Sequence, residues 1–115
     1  MLTGTGKRSL ASLMDELYRA IADPTRRAIL DELVDRNGQT LFELCGRLIM
    51  KHRIESSRQA ISQHLDVLEA AGLVTTERDG RYKFHWFNGE PLREITRRWP
   101  PKKTKQNKKR KGNDP

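Results

Sequence analysis

The sequence predicts a mainly helical α+β domain, with about five helices and one β-hairpin. Three observations lead there. Between residues 9 and 72, apolar side chains recur at helical spacing in four blocks, each opened by a Ser, Thr or Asp suited to cap a helix. After Gly72 the period drops to two, on either side of Asp79-Gly80. A last apolar set, Leu92, Ile95 and Trp99, returns to helical spacing. A chain of 115 residues suits one domain, and the expected limits are a flexible N-terminus over 1–8, a folded domain over 9–99 and a disordered basic tail over 100–115.

Residues 1–8, MLTGTGKR, are Gly/Thr-rich and expected to fray. Leu10, Leu13, Met14, Leu17, Tyr18 and Ile21 then share one face of a first helix that ends near Ala22. Asp23 as N-cap and Pro24 at the first helical position open a second helix. Its buried side is expected to be Ala28, Ile29, Leu33 and Val34, with Leu30 on the flank, and Asn37-Gly38 stops it. Thr40 and Glu43 make a capping box for a third helix, Leu41 to about Lys51, with Leu41, Leu44, Cys45 and Leu48 inward. The basic segment MKHRIE turns the chain into a fourth helix, capped by Ser56 with Gln59 at the third helical position. Ile61, Leu65 and Leu68 form its apolar stripe, and Gly72 supplies a left-handed stop.

Leu73 to Arg78 reads as a strand, Asp79-Gly80 as a two-residue turn and Arg81 to Phe87 as the return strand. That turn pairs Arg78 with Arg81, Thr75 with Phe84 and Leu73 with Trp86. Tyr82, Phe84 and Trp86 share the face expected to pack, while Arg78, Arg81 and Lys83 crowd the tip and the other face. Pro91 begins the last helix and Pro100-Pro101 ends it. The net charge of +8 is uneven: residues 101–115 carry +6, leaving +2 for residues 1–100. Any nucleic-acid footprint on the domain must therefore come from local clustering, and the tail adds only unspecific attraction.

Such a cluster exists on the fourth helix. Ser57, Arg58, Gln59, Ser62, Gln63 and His64 lie in its first two turns, off the apolar stripe. These side chains hydrogen-bond to base edges and phosphates, and an amphipathic helix with donors and acceptors at its N-terminal end suits a major groove. Two short helices joined by a turn, followed by a hairpin with a basic tip, make a winged helix-turn-helix. The candidate DNA contacts are these six residues plus Arg78, Arg81 and Lys83 of the wing.

Four blocks narrow the reading. LYRAIADPTRRAILDEL (17–33), FELCGRL (42–48), AISQHLDVLEAAGLV (60–74) and ERDGRYKFHWF (77–87) together resemble the ArsR-type family of bacterial transcriptional repressors. The resemblance implies a homodimer formed by the first and last helices, here 9–22 and 91–99, which makes Leu10, Leu13, Leu17, Leu92, Ile95 and Trp99 the candidate interface. It implies that Gln59, Ser62, Gln63 and His64 face the major groove, that the wing straddles the backbone or minor groove, and that an inducer, often a metal, relieves repression. Three features depart from the family pattern. The connection from Glu43 to Ser62 is about six residues longer, with the extra residues in IMKHRIES. FELCGRL keeps one possible match, Cys45, to the paired cysteines of metal-sensing members. LREITRRW has no His, and Glu94 is its one acid, where other members build a metal site on the last helix.

One Cys and three scattered His, at 52, 64 and 85, give no recognisable ligand set, so no metal or cofactor is expected. A lone Cys on an apolar helix face reads as core before it reads as a redox switch. No nucleophile–base pair or Gly-rich phosphate loop points to an enzyme. No apolar run is long enough for a membrane span and the N-terminus lacks a secretory core, so the expected location is cytoplasmic. The expected function is a sequence-specific DNA-binding transcriptional repressor acting on a palindromic operator, with double-stranded DNA as partner and the inducer unknown. The alternative is a winged-helix module for protein or RNA contacts, with unspecific nucleic-acid affinity from the tail.

Overall fold

The computed structural model describes residues 9–102. The expected frayed segment 1–8 and all but the first three residues of the expected basic tail lie outside them. In chain order the elements are α1 (Leu10–Ile21), α2 (Pro24–Asp35), α3 (Leu41–His52), α4 (Arg58–Ala70), β1 (Val74–Asp79), β2 (Tyr82–Phe87), a 3-10 turn (Glu90–Leu92) and α5 (Arg93–Arg98). The five helices and single antiparallel hairpin are those expected. None of the described helices is long and apolar enough to cross a membrane.

The core is built where the apolar stripes meet. Met14 and Leu17 of α1, Ile29 and Leu33 of α2, Leu44 and Leu48 of α3, and Ile61, Leu65 and Leu68 of α4 are buried together with Leu73 and Val74. Leu30, expected on a flank, is buried as well, whereas Val34, expected inside, is 64% exposed. Glu32, on the same side of α2 as Ala28 and Ile29, is buried with them at 2% exposed.

Glu32 is the main buried charge. Its Oε2 accepts from Lys51 Nζ at 3.0 Å and from His52 Nε2 at 3.1 Å, while Arg47 stands 4.0 Å from Oε1. His52, read from sequence as part of a basic loop, lies in the last turn of α3 and points back to α2. Burial alone would raise the Glu32 carboxyl, but the hydrogen bonds and charges of Lys51 and His52 outweigh it and hold it below its ordinary value.

The lengthened connection between α3 and α4 is absorbed in two parts. One part extends α3 to His52. The other forms a left-handed stop at Arg53 (φ 57°), where Arg53 N donates to Ile49 O and Ile54 N donates to Leu48 O. The left-handed residue thus closes the last carbonyls of α3, and Ile54, just after it, packs against the core cluster that contains Leu48. Packing Ile54 in this way also settles which of two adjacent serines caps α4. The cap is Ser57, whose Oγ accepts from Ala60 N at 3.0 Å, and not Ser56 with a Gln59 capping box.

The hairpin register also differs from the sequence expectation. Asp79 pairs with Tyr82, Arg78 with Lys83 and Thr75 with Trp86, so the turn residues are Gly80 and Arg81. Gly80 has φ +66° and Arg81 is not among the positive-φ residues. A turn with Gly at its first central position needs one positive φ, whereas an Asp79-Gly80 type I′ turn would force Asp79 into that region too. The packed face is the opposite one as well: Val74 and His85 are buried and Phe87 is half-buried, while Tyr82 and Trp86 are exposed. His85 can be buried because it bridges to Gln39, exchanging backbone hydrogen bonds with it and donating from Nδ1 to its carbonyl at 2.9 Å. Trp86 lies on the outer face over Gly38, where an added Cβ would stand 2.9 Å from the indole.

Two stability outcomes follow. Arg53→Gly relieves the strain of a residue with a Cβ in the left-handed region and should stabilise the fold by about 1 kcal/mol, raising the melting temperature by roughly 4–8 °C. An unchanged or lower melting temperature would show that the Arg53 side chain contributes more than its strain costs. The lowered Glu32 carboxyl contributes stability that is present above its ordinary value of 4.5 and is lost as pH falls through the lower folded value. Melting curves between about pH 7 and about pH 3 should therefore show a steeper acid limb for the wild type than for Glu32→Gln.

Candidate nucleic-acid interface

α4 presents its polar residues on three sides. Ile61, Leu65 and Leu68 fix the inner side in the core, so Gln59 and Gln63 point outward and are exposed. Arg58 and Ser62 lie on the flank toward the hairpin, where they line a groove of about 360 Å³ together with Arg81 and Lys83. Half-buried His64 lies on the other flank, against α2, with its Nδ1 3.1 Å from Arg26 NH1. Ser57 is exposed, but its hydroxyl is used as the cap. The structure thus brings Arg58, Ser62, Arg81 and Lys83 together, sets Gln59 and Gln63 beside them, and turns His64 away from the groove.

The hairpin's charges share this arrangement. Arg78 and Lys83 are direct cross-strand partners, so two cations face each other on one side of the sheet. Like charges placed directly opposite are unfavourable unless an anion lies between or above them. Arg81 sits at the tip, exposed. The hairpin thus places three cationic side chains next to the helix whose outward side is polar.

Two contributors escaped the sequence reading. Phe42, at the start of α3, is 72% exposed, and the Arg58 guanidinium lies 5.9 Å from its ring centre. Its exposure could not be read from a helical apolar pattern. Arg26 stands in the segment 17–33, but its contacts depend on how the end of α1 and the flank of α4 meet. Cys45 is half-buried beside the same site, and burial pushes its thiol up more strongly than the Arg58 charge pulls it down. Among the described residues, no group of three or more His, Cys, Asp and Glu is placed to hold a metal ion.

A helical core that exposes the polar side of α4 beside a basic two-stranded wing defines a winged helix-turn-helix DNA-binding regulator. The sequence profile of the helix-turn-helix domain family matches residues 21–77. The HTH-type transcriptional regulator YuzN of Bacillus subtilis (strain 168), itself uncharacterized, is 52% identical over 85 residues, covering 74% of this chain and 92% of that protein. The transcriptional repressor SdpR of the same organism is 32% identical over 81 residues, 70% of this chain and 82% of that protein. Among solved structures, an ArsR-like transcriptional regulator from Rhodococcus sp. RHA1 superposes with a TM-score of 0.65 at 33% identity, covering 76% of this chain and 74% of that one. The chain belongs to the ArsR-type family of helix-turn-helix transcriptional regulators, a family of DNA-binding proteins and not of enzymes.

The geometry separates two kinds of contact. Arg81→Ala should weaken binding to every duplex by a similar factor and lower the salt slope by about one. Gln63→Ala should cost about 1–3 kcal/mol on the specific site alone. Competition titrations at two salt concentrations check both. A shift in base preference for Arg81→Ala would show that the wing reads sequence.

Proposed function

We propose that this protein is a repressor that binds a palindromic operator as a homodimer, reading bases with Gln59, Gln63 and neighbouring residues of α4 and gripping phosphates with Arg58, Arg78, Arg81 and Lys83. The observation that carries the proposal is the outward polar face of α4 beside a pair of unneutralised wing cations. Repression is the role that the relative SdpR bears in its name.

The dimer reading rests on α1 and α5. Leu10, Leu13 and Trp99 are 62%, 43% and 58% exposed, a large apolar exposure for the ends of one small domain. Leu10 also lines a groove of about 520 Å³ between α1 and α5, together with Met14, Tyr18, Glu94, Arg97 and Arg98. The Tyr18 hydroxyl is buried without a hydrogen-bond partner among the described residues. A second copy related by a two-fold axis would cover this face and could supply an acceptor. The sequence expectation for the interface needs one revision. Leu17 is 3% exposed and belongs to the protomer's own core, while Leu92 and Ile95 pack partly against that core. Leu10, Leu13 and Trp99 are therefore the residues left for a partner.

Leu13→Glu should convert a stable dimer to monomer at micromolar concentration while leaving the fold intact, as read by sedimentation and circular dichroism. Selection of bound duplexes from a random pool should return inverted half-sites about one helical turn apart, centre to centre. A wild type that sediments as a monomer, or a recovered site without two-fold symmetry, would rule out this proposal.

A further inference from the structure

Two of the blocks that mark the family, IADPTRR and SQHL, meet in space at one contact that groove reading by Gln59 and Gln63 leaves unused. Arg26 NH1 lies 3.1 Å from His64 Nδ1. A guanidinium carries five donors and no acceptor, and it keeps its proton in proteins. The hydrogen bond therefore runs one way: Arg26 donates, and the Nδ1 lone pair accepts. A ring that accepts at Nδ1 is neutral and carries its proton on Nε2.

Arg26 is held in place for this. Its Nε donates to Ala20 O at 2.8 Å and its NH2 to Arg19 O at 3.0 Å, which fastens it to the end of α1. Its backbone N–H donates to the capping carboxylate of Asp23 at 3.0 Å. His64 Nε2 is not among the buried polar atoms that lack a partner, and the ring is half-buried, which leaves the Nε2–H at the surface of α4 next to exposed Gln63.

We propose that Arg26 is a positioning residue that fixes His64 as a neutral Nε2–H donor at the edge of the reading helix. His64 then selects an acceptor on the duplex: guanine O6 or N7, adenine N7, thymine O4, or a phosphate oxygen. It offers nothing to an amino group of cytosine or adenine. This rests on α4 being the groove reader. It gives the two family blocks one shared physical purpose, and it links the helix proposed for dimerisation to the helix that meets DNA.

The first test needs neither DNA nor a mutant fold to interpret. Long-range proton–nitrogen correlation on the full-length protein labelled with 15N-histidine, above neutral pH, reports the tautomer of each ring. The His64→Asn spectrum assigns the signal. The expected result is a protonated Nε2 and a bare Nδ1 for His64, with Arg26→Lys shifting the ring toward a mixture because a single ammonium cannot serve Arg19, Ala20 and His64 together. A proton on Nδ1 in the wild type overturns the proposal.

The second test uses the selected site and a random duplex. His64→Asn keeps an acceptor close to the position of Nδ1 and removes the outward donor. A loss of roughly three- to tenfold on the selected site alone assigns the donor to a base, and the same loss on both duplexes assigns it to a phosphate. Unchanged affinity for both overturns the contact with DNA. Gln63→Ala, titrated alongside, tests the underlying reading: if it has no effect on the selected site, α4 is not the reader, whereas the tautomer measurement still decides the role of Arg26.

Discussion

Arg26 joins three pieces of the chain: the end of α1, the start of α2 and the flank of α4. Two of its nitrogens take the carbonyls of Arg19 and Ala20 at the end of α1, and a third takes His64 on the flank of α4. The carbonyls at a helix end have no partner within the helix, so a guanidinium there satisfies groups that would otherwise need water or a cap. Asp23 caps α2 in the same place. Burial would raise its carboxyl, but the Arg26 N–H and charge outweigh that and hold it below the ordinary value. The junction is thus a short chain of charge-assisted hydrogen bonds, stronger than neutral ones and specific in geometry. Its bond to His64 restricts the rotation of α4 about its own axis, which the apolar contacts of Ile61, Leu65 and Leu68 do far less, because apolar contacts are not directional.

Two further polar contacts set the other borders of the site. Glu32 ties α2 to the last turn of α3 through Lys51 and His52, which fixes where α3 ends and where the turn into α4 begins. Gln39 joins the hairpin as a one-residue third strand by bridging to His85. Its side-chain Nε2 also donates to the carbonyls of Glu32 and Arg36. The wing is therefore anchored to α2, the same helix that holds α4 through Arg26. Reading helix and wing refer to a common support, so the groove between them keeps its width. The cost of such buried networks is that each depends on complete pairing, and the Oε1 atoms of Glu32 and Gln39 lack hydrogen-bond partners among the described residues.

The wing itself has two chemically different faces. Lys83 and His85 line the groove toward α4, with Arg81 and Tyr82 beside them, whereas Phe84 and Trp86 line the opposite side together with Arg78. Tyr82 and Phe84 pack obliquely, with ring centres 6.4 Å apart, and Trp86 covers Gly38. The aromatic residues therefore stiffen the hairpin from outside instead of filling the core.

The sequence by itself determined the number and order of elements, because period, caps and stop residues act within a few residues of one another. Asp23-Pro24, the Thr40–Glu43 capping box and Gly72 at φ +80° stand where local chemistry places them. It also determined which helix carries the polar cluster, since the spacing of Ile61, Leu65 and Leu68 forces Gln59 and Gln63 to the other side. Tertiary structure decided the rest. Ser56 and Ser57 are equivalent caps until Ile54 docks on the core. Tyr82, Phe84 and Trp86 alternate as a buried strand would, but a bridge to residue 39 turns His85 inward and them outward. Leu17 and Leu13 look alike along one helical stripe, yet the first is core and the second is exposed. Arg26 and His64 are 38 residues apart, and their contact exists only because α1, α2 and α4 converge. Local signals fix which groups a segment can satisfy by itself. Which of several adequate choices is taken is set by contacts between residues far apart in the chain, where burial makes an unpaired polar group costly.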